Sequence, residues 1–260
     1  MEEAGGGDFK INITDILIQK IKINGEWKIR GKLLKMIPIE RLGSGIPGLD
    51  EMLEGGFPIP STILLSGEPG TGKTTLAVQS LFHGARQKEI GLYITAVSEP
   101  GWVIQKFLSQ YDFYSQKLIE SEVVQFLDIG RIKDGEKILA KLLGNIERFQ
   151  PKRVVIDSIN PIRSRLEDTG EYRELMYDLL SSLKGYGCVT ILICEASYSD
   201  LPKLSEAYLS DGIIVLSYRE MEGSRKKYLE VLKMRGTDHT TGMRSVNISK
   251  KGLLVYPELR

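Results

Sequence analysis

A glycine-rich loop, GEPGTGKTT at residues 67–75, constrains this chain more than any other feature of its sequence. The apolar run STILLSG (61–67) leads into it, and a helix-like segment follows it. The spacing is G-x-x-x-x-G-K-[ST], in which glycines let backbone N–H groups surround phosphate oxygens while the next helix points its positive end at the same anion. The loop therefore predicts a nucleoside triphosphate site between a strand and a helix.

Within this loop, every residue is a candidate contact to the phosphates. Lys73 is expected to reach the β- and γ-phosphates, and the Thr74 hydroxyl is expected to bind Mg²⁺. The candidate phosphate contacts are Gly67, Glu68, Pro69, Gly70, Thr71, Gly72, Lys73, Thr74 and Thr75.

A second magnesium ligand is expected at the end of another strand. Asp157 follows four apolar-dominated positions in RVVIDSI, so it would emerge at the carboxyl edge of the sheet beside the loop. Its carboxylate would then bind Mg²⁺, directly or through water. The alternative is that Asp157 caps the turn that follows the strand.

Short apolar runs alternate with amphipathic segments through the middle of the chain. The runs lie at 61–67, 90–97, 123–130, 153–159 and 188–196. Such runs separated by helices predict parallel strands in a doubly wound α/β core. The last segments, GIIVLSYRE, KKYLEVLKMRG and RSVNISKKGLLVYP, have turn signals but no helix between them, and they predict antiparallel strands appended to the sheet.

Composition excludes several other classes of protein. The 260 residues include 35 Lys and Arg against 34 Asp and Glu, a net charge of +1 that indicates no polyanionic or membrane partner. The start has no signal-peptide pattern, and no apolar stretch is long enough to span a bilayer. Cys188 and Cys194 are expected to be reduced thiols in the core of a cytoplasmic protein.

Residues 1–40 are predicted to form a separate extension. IKINGEWKI alternates around Asn24 and Gly25, which predicts a β-hairpin, and six lysines and arginines between 20 and 35 face a single glutamate. Two interpretations stay open. The hairpin has a solvated basic face, or it is an arm that binds a partner protein or nucleic acid.

From residue 41 to 258 the sequence resembles the KaiC and RadA/RecA-like ATPases, most closely the KaiC-type domain. The resemblance is carried by GSGIPGLDEMLEGGFP before the loop, by KRVVIDSI, and by YLEVLKMRGTDHTTGMRSVNISKKGLLVYP near the end. It implies a RecA-like fold for residues 41–260 and binding of ATP with Mg²⁺.

The resemblance also implies assembly as a homo-oligomeric ring, often a hexamer, with nucleotide at subunit interfaces. In this family the Lys-x-Arg-Gly-Thr-x-His run reaches the γ-phosphate of the neighbouring subunit. Carried over to this chain, Lys233, Arg235 and His239 would act in trans. Lys233 and Arg235 are two residues apart, so on a strand they share a face and can neutralise charge in the transition state.

The water-activating carboxylate is where the sequence departs from the family. KaiC-type domains carry adjacent glutamates at the end of the strand after the phosphate-loop helix, and those positions are Val97 and Ser98 here. Glu99 comes one residue late, before Pro100. It is either a displaced catalytic carboxylate or a helix-start residue favoured by the helix dipole.

Glu195, which ends TILICEA on another strand, is a further candidate that would sense the γ-phosphate, whereas Glu68 is expected to face solvent. The sequence thus favours a homo-oligomeric ATPase with slow hydrolysis. A nucleotide-bound switch or scaffold with little turnover is the first alternative. A DNA-binding module is the second, and it is not favoured because the segments after residues 159 and 196 carry as many acidic as basic residues or more.

Overall fold

The computed structural model describes residues 20–23, 26–29, 38–96, 101–166, 169–221 and 223–258. The chain divides into two compact units, Met1–Pro38 and Ile39–Arg260. In the first unit, β1 (Lys20–Ile23) pairs antiparallel with β2 (Glu26–Ile29). The turn at 24–25 lies outside the described residues, and the interaction role of this arm stays a prediction.

The second unit is built on a nine-stranded sheet covered by helices on both faces. The sheet order is β13-β12-β11-β10-β5-β9-β8-β6-β7. Its strands are β5 (Ser61–Gly67), β6 (Gly91–Thr95), β7 (Val124–Asp128), β8 (Arg153–Asp157), β9 (Val189–Cys194), β10 (Gly212–Met221), β11 (Ser224–Met234), β12 (Arg244–Ser249) and β13 (Gly252–Val255). The short strands β3 (Arg41–Leu42) and β4 (Phe57–Pro58) pair separately.

Helices connect the parallel strands. They are α1 (Leu49–Met52), α2 (Lys73–Arg86), α3 (Gly101–Leu108), α4 (Gln116–Glu120), α5 (Gly135–Phe149), α6 (Asn160–Arg165), α7 (Thr169–Gly185) and α8 (Ser205–Leu209). The six strands from β10 to β7 run parallel, and β11 to β13 run antiparallel to their neighbours. The predicted RecA-like α/β fold with antiparallel C-terminal strands is confirmed.

One strand differs from the prediction. The segment GIIVLSYRE was expected to be antiparallel, but β10 pairs in parallel with β5, with Gly212 opposite Ile63 and Leu216 opposite Gly67. The reason is the connection after β9, which contains a 3-10 turn (Leu201–Lys203) and α8 and returns the chain to the amino edge of the sheet. The antiparallel extension therefore begins at β11.

Two hydrophobic cores lie on opposite faces of the sheet. One packs α2 against the strands through side chains such as Leu76 and Phe82. The other packs α5 and α7 against the other face through residues such as Leu142 and Met176. Both cysteines are buried and unpaired, as expected. No helix of the described ranges has the length and apolar character needed to cross a membrane.

A buried arginine ties three elements together at the amino edge of the sheet. Arg153, at the start of β8, is 3% exposed and pairs with Glu89 at 2.6 Å. It also donates to the Gly43 carbonyl at 2.8 Å and to the Ser80 hydroxyl at 3.0 Å. Because the guanidinium is desolvated, its hydrogen bonds must be made within the protein.

We expect Arg153→Ala to lower the free energy of unfolding by about 3–5 kcal/mol, because it leaves Glu89 unpaired and opens the contacts to Gly43 and Ser80. Urea titration followed by circular dichroism measures this change. Lys137→Ala is the matched control, since the Lys137–Asp134 pair is exposed and its loss should leave the free energy of unfolding nearly unchanged. Equal losses in the two variants would contradict the structural role of Arg153.

Candidate functional site

The phosphate loop is shaped by glycines at its two ends. Gly67 has φ +155°, and a Cβ there would lie 2.2 Å from the Leu216 carbonyl oxygen on β10. Gly72, the N-cap residue of α2, has φ +109°, and a Cβ there would lie 2.4 Å from Ile248. Side chains at either position would force the loop away from its neighbouring strands. The backbone contact therefore requires glycine at position 67, and the positive φ favours glycine at position 72.

Lys73 is held against its own loop. Its ammonium group donates to the Gly67 carbonyl at 2.8 Å and to the Glu68 carbonyl at 3.0 Å. Burial lowers the pKa of Lys73, while the negative charges of Glu195 and Asp157 act in the opposite direction. The cation is thus fixed at the base of the loop by partners that are weaker acceptors than a phosphate.

Asp157, at the end of β8, lies where the sequence predicted. Its Oδ2 accepts hydrogen bonds from the Thr74 hydroxyl at 2.7 Å and from the Tyr93 hydroxyl at 2.7 Å. Burial raises the pKa of Asp157, although both hydrogen bonds and the charge of Lys73 lower it. Thr74 and Asp157 therefore place a hydroxyl and a carboxylate side by side at the amino end of α2.

Glu195 reaches the same place from β9. Its backbone is fixed on both sides by Asn160, which accepts from the Glu195 N–H at 2.8 Å and donates to its carbonyl at 3.0 Å. Its carboxylate is exposed and lines a cavity of about 340 Å³ together with Lys73, Thr74 and Asp157. The structure thus brings together four candidate residues from three distant parts of the sequence.

This oxygen-donor set fits Mg²⁺. Hydroxyl, carboxylate and water oxygens are the ligands that Mg²⁺ prefers, and the ion uses few protein ligands together with substrate phosphates. Thr74 and Asp157 supply such donors. No cluster of three or more His, Cys, Asp or Glu suited to a metal occurs among the described residues, which agrees with a site that substrate oxygens would complete.

Three residues at this site were missed by sequence reasoning. Tyr93 bonds to Asp157, the Tyr111 hydroxyl lies 3.2 Å from the Thr75 hydroxyl, and Lys227 on β11 lines the phosphate cavity. A tyrosine within an apolar strand needs a partner for its hydroxyl, so Tyr93 carried a usable signal. Tyr111 and Lys227 lie in loop and strand contexts that indicate no site without the tertiary structure.

A second cleft adjoins the phosphate cavity on the side of α3. It measures about 610 Å³ and shares Thr74, Thr75, Tyr111, Asp157 and Glu195 with the first cavity. Its wall includes apolar side chains from α3. These residues are Ile104, Phe107 and Leu108. The combined space thus offers a charged end and an apolar end.

Lys233 and Arg235 lie at the opposite edge of the sheet from the phosphate loop. The Arg235 N–H donates to the Asp211 carbonyl at 2.9 Å, and the Asp211 N–H donates to Thr62 at 2.8 Å, so Arg235 is level with Thr62. Gly67 is five residues further along β5, a separation of roughly 16 Å at the usual rise. Neither cation lines the phosphate cavity of its own chain.

A β-bulge decides which face of the sheet carries these cations. Ile213 pairs with Lys233 but Ile214 pairs with Val231, so Leu232 is the extra residue. Val231 faces α2, whereas Leu232 packs into the core under α7 and Lys233 donates to the Ser210 carbonyl at 2.6 Å. Without the bulge, strict alternation would place Lys233 on the α2 face.

The segment after β11 is held by Arg41. The guanidinium donates to the Thr237 hydroxyl at 2.8 Å and to the Gly236 carbonyl at 3.1 Å. Half-buried His239 follows, with its Nδ1 3.4 Å from the Thr237 carbonyl. Arg235 is 57% exposed and pairs with Asp211 at 3.1 Å. Arg235 and His239 therefore lie on one edge, apart from the phosphate loop.

The remaining candidate carboxylates lie elsewhere or outside the described residues. Glu68 is exposed in the phosphate loop, as expected. Val97, Ser98 and Glu99 fall outside the described residues, so the choice between a catalytic and a helix-start role for Glu99 stays open. Of the described carboxylates, Asp157 and Glu195 line the cavity.

Comparisons of this chain with known sequences and structures agree on one family. A sequence profile described as "ATPase: KaiC" matches residues 42–260. A UPF0273 protein of Pyrococcus furiosus is 32% identical over 85% of this chain and 95% of its own length. The circadian clock protein KaiC3 of Synechocystis is 29% identical over 84% of this chain but only 46% of its own length. The crystal structure of a KaiC-like protein from Pyrococcus horikoshii matches with a TM-score of 0.75 and 33% identity, over 85% of this chain and all of that chain.

We expect Asp157→Asn to stabilise the protein at pH 7 in the absence of Mg²⁺. Since burial raises the pKa of Asp157, the folded state binds its proton more tightly than the unfolded state. Wild-type stability therefore falls as pH rises from the ordinary carboxyl pKa through the raised value. The asparagine amide oxygen can still accept from Thr74 and Tyr93 without a buried charge.

Urea titrations of both proteins at several pH values measure this effect. The gain in free energy of unfolding from Asp157→Asn should be largest above the raised pKa of Asp157 and should vanish below the ordinary carboxyl pKa. A variant that is less stable than wild type at pH 7 would show that the charge of Asp157 stabilises the fold, contrary to this account.

Proposed function

The chain belongs to the KaiC family of ATPases, and from that membership and the geometry of the phosphate cavity we propose that it binds ATP with Mg²⁺ and hydrolyses it slowly as a homo-oligomer. The observation that carries the proposal is the convergence of Lys73, Thr74 and Asp157 in one cavity at the ends of β5 and β8. Each supplies the charge or donor that a triphosphate and its magnesium ion need.

Binding requires a small local change at Lys73. Its ammonium group would exchange the carbonyls of Gly67 and Glu68 for phosphate oxygens, which are stronger acceptors because they carry charge. The loop N–H groups and the amino end of α2 would hold the remaining phosphate oxygens. Thr74 and Asp157 would hold Mg²⁺, which when bound neutralises charge that develops on the phosphates.

Slow hydrolysis follows from the water-activating position. In the reaction the water oxygen bonds to the γ-phosphorus, the bond to the β–γ bridging oxygen breaks, and ADP leaves. Family members orient that water with glutamates at positions that are Val97 and Ser98 in this chain. We assign the role to Glu99 or Glu195; of these, Glu195 lines the cavity beside Thr74 and Asp157. A displaced carboxylate slows hydrolysis but leaves nucleotide binding intact.

The trans role of Lys233, Arg235 and His239 belongs to the same proposal. Since Lys233 and Arg235 lie at the edge away from their own phosphate loop, they are available to a nucleotide bound by a neighbour in a ring. Arg235 is exposed enough to serve there, and an arginine at a transferring phosphoryl group stabilises its charge. In such a ring each nucleotide site would lie between two subunits, so the bound nucleotide would influence how the subunits are arranged.

The N-terminal arm, residues 1–40, is proposed to bind a partner protein. Nucleic acid is the alternative partner of this basic arm, and it is not favoured for the chain because the segments after residues 159 and 196 are more acidic than basic.

We expect Lys73→Ala to weaken ATP binding by about 1.5–3 kcal/mol, or roughly 10- to 150-fold in Kd, because it removes a charged hydrogen-bond donor. Isothermal titration of ATP with Mg²⁺ measures this change, and phosphate release measures turnover. Lys250→Ala, at an exposed position, is the control and should bind as wild type does. Wild-type protein that binds no ATP would contradict the proposal.

The same two measurements separate hydrolysis from binding alone. Turnover above the background of the Lys73→Ala variant supports the ATPase. Tight binding without turnover would instead favour the nucleotide-bound switch or scaffold.

For the shared site, we expect Arg235→Ala and Lys73→Ala subunits to be inactive alone and to recover activity when mixed. Mixed rings contain some interfaces with both an intact phosphate loop and an intact neighbouring arginine. Phosphate release measures the recovery, and native mass spectrometry shows whether the subunits have assembled together. Mixed rings that form but show no recovered activity would place Arg235 outside the neighbouring site.

A further inference from the structure

A cavity of about 360 Å³ lies between α6, α7 and α8, away from the phosphate site. It shares no lining residue with the phosphate cavity or with the cleft that adjoins it. Its volume is at the small end of the range for ligand pockets, which suits one small molecule. The lining side chains that matter for its chemistry are Arg163, Arg173, Lys203 and Glu206, with Leu166 and Leu204 as apolar wall.

Glu206, on α8, brings a fully buried carboxylate to this cavity. Its Oε1 accepts hydrogen bonds from the Arg163 guanidinium and from the Tyr172 hydroxyl. Burial and the charge of Glu206 raise the pKa of Tyr172, so that hydroxyl stays protonated and donates. The other carboxylate oxygen, Oε2, is also buried, and it has no hydrogen-bond partner within the part of the chain that the structure describes.

The second oxygen of Glu206 therefore calls for a donor from outside these residues. A buried carboxylate oxygen loses its hydrogen bonds to water, and it is destabilising unless another donor replaces them. Arg163 and Tyr172 do not supply that donor, because both are bonded to Oε1. A charged donor forms the stronger hydrogen bond to a carboxylate. An ammonium group is thus the ligand group that fits Glu206 best.

Arg173, on α7, has the opposite requirement. The other two cations of the cavity already have carboxylate partners: Arg163 pairs with Glu206, and Lys203 pairs with Asp200 at 3.4 Å. Arg173 pairs with no carboxylate of the described ranges, although its guanidinium can hold one through two parallel hydrogen bonds. An anionic group, and a carboxylate in particular, therefore fits Arg173.

The two requirements lie close together. Arg173 Nε is 3.5 Å from the hydroxyl of Ser205, the residue that precedes Glu206. An α-amino acid carries its ammonium group and its carboxylate on one carbon, so a single small molecule can meet both residues. The apolar side chains of Leu166 and Leu204 line the same cavity and would accept an apolar side chain.

We propose that this cavity binds an α-amino acid with an apolar side chain, whose ammonium group donates to Glu206 Oε2 and whose carboxylate accepts from Arg173. The inference goes beyond the proposed function and does not depend on it, because the cavity shares no residue with the phosphate site.

The helices that hold the cavity also lead to residues of the nucleotide sites. α6 begins at Asn160, which fixes the backbone of Glu195 on both sides. α8 is followed directly by Ser210, whose carbonyl accepts from Lys233. A ligand between these helices would therefore bridge two elements that position charged groups on opposite sides of the subunit.

Isothermal titration of the full chain with L-leucine, L-methionine and L-phenylalanine tests the proposal. We expect at least one of them to bind with a Kd of about 1 mM or tighter. For the amino acid that binds most tightly, two analogues separate the two ends: its amide lacks the carboxylate, and the corresponding acid lacks the amino group. Each analogue should bind about tenfold more weakly or worse, because each loses a charged hydrogen-bonding group.

Variants of Arg173 locate the binding. Arg173→Ala should weaken binding about tenfold, and Arg173→Lys should recover part of the loss because it keeps the charge. Arg148→Ala is the matched control, since Arg148 is exposed on another helix and does not line the cavity; it should bind within about twofold of wild type. Urea titration shows whether each variant keeps the wild-type free energy of unfolding. The donor end is tested through the analogues, because a change at the fully buried Glu206 would endanger the fold.

Each outcome decides the inference. Weaker binding by Arg173→Ala, together with a loss for both analogues, supports the site. If none of the three amino acids binds up to about 10 mM, the inference is wrong, and internal water is the partner of Glu206 Oε2. Binding of either analogue as tight as that of the amino acid also overturns it, since one end would then be unused. Equal binding by Arg173→Ala and Arg148→Ala would place the ligand elsewhere on the protein.

Discussion

The contact between Thr74 and Asp157 joins the amino end of α2 to the end of β8, and the arrangement of the whole phosphate site depends on it. The hydroxyl and carboxylate are 2.7 Å apart, in surroundings where burial disfavours the charge of Asp157 and of Lys73 alike. Each charge is satisfied by polar groups from a different element of the fold. The site is therefore preorganised, with its charged groups held by uncharged hydrogen-bonding partners.

The direction of each strand decides at which edge of the sheet its functional groups lie. The parallel strands β5, β8 and β9 end at one edge and bring the phosphate loop, Asp157 and Glu195 together. The antiparallel strand β11 runs the other way, so it carries Lys227 to that edge and Arg235 to the opposite one. A single strand thereby places cations near two opposite edges of the sheet.

Sequence patterns predicted much of this arrangement. The runs at 61–67 and 153–159 contain β5 and β8, and the α/β fold is confirmed. The direction of β10 was predicted wrongly. Whether a strand runs parallel or antiparallel to its neighbour depends on the edge of the sheet to which the preceding connection returns the chain. Tyr111 and Lys227 were also missed, since neither belongs to a local motif and both meet the site through contacts between distant segments.

The sequence by itself determined the phosphate loop, the expected magnesium ligands and the family, because those depend on residue types at fixed local spacing. Only the tertiary structure decided that Glu195 and Lys227 share one cavity and that Lys233 faces away from it. The physical reason is the pairing register: one extra residue, Leu232, reverses the face of every side chain after it. Local sequence does not specify such a register, because it is set by packing on both faces of the sheet.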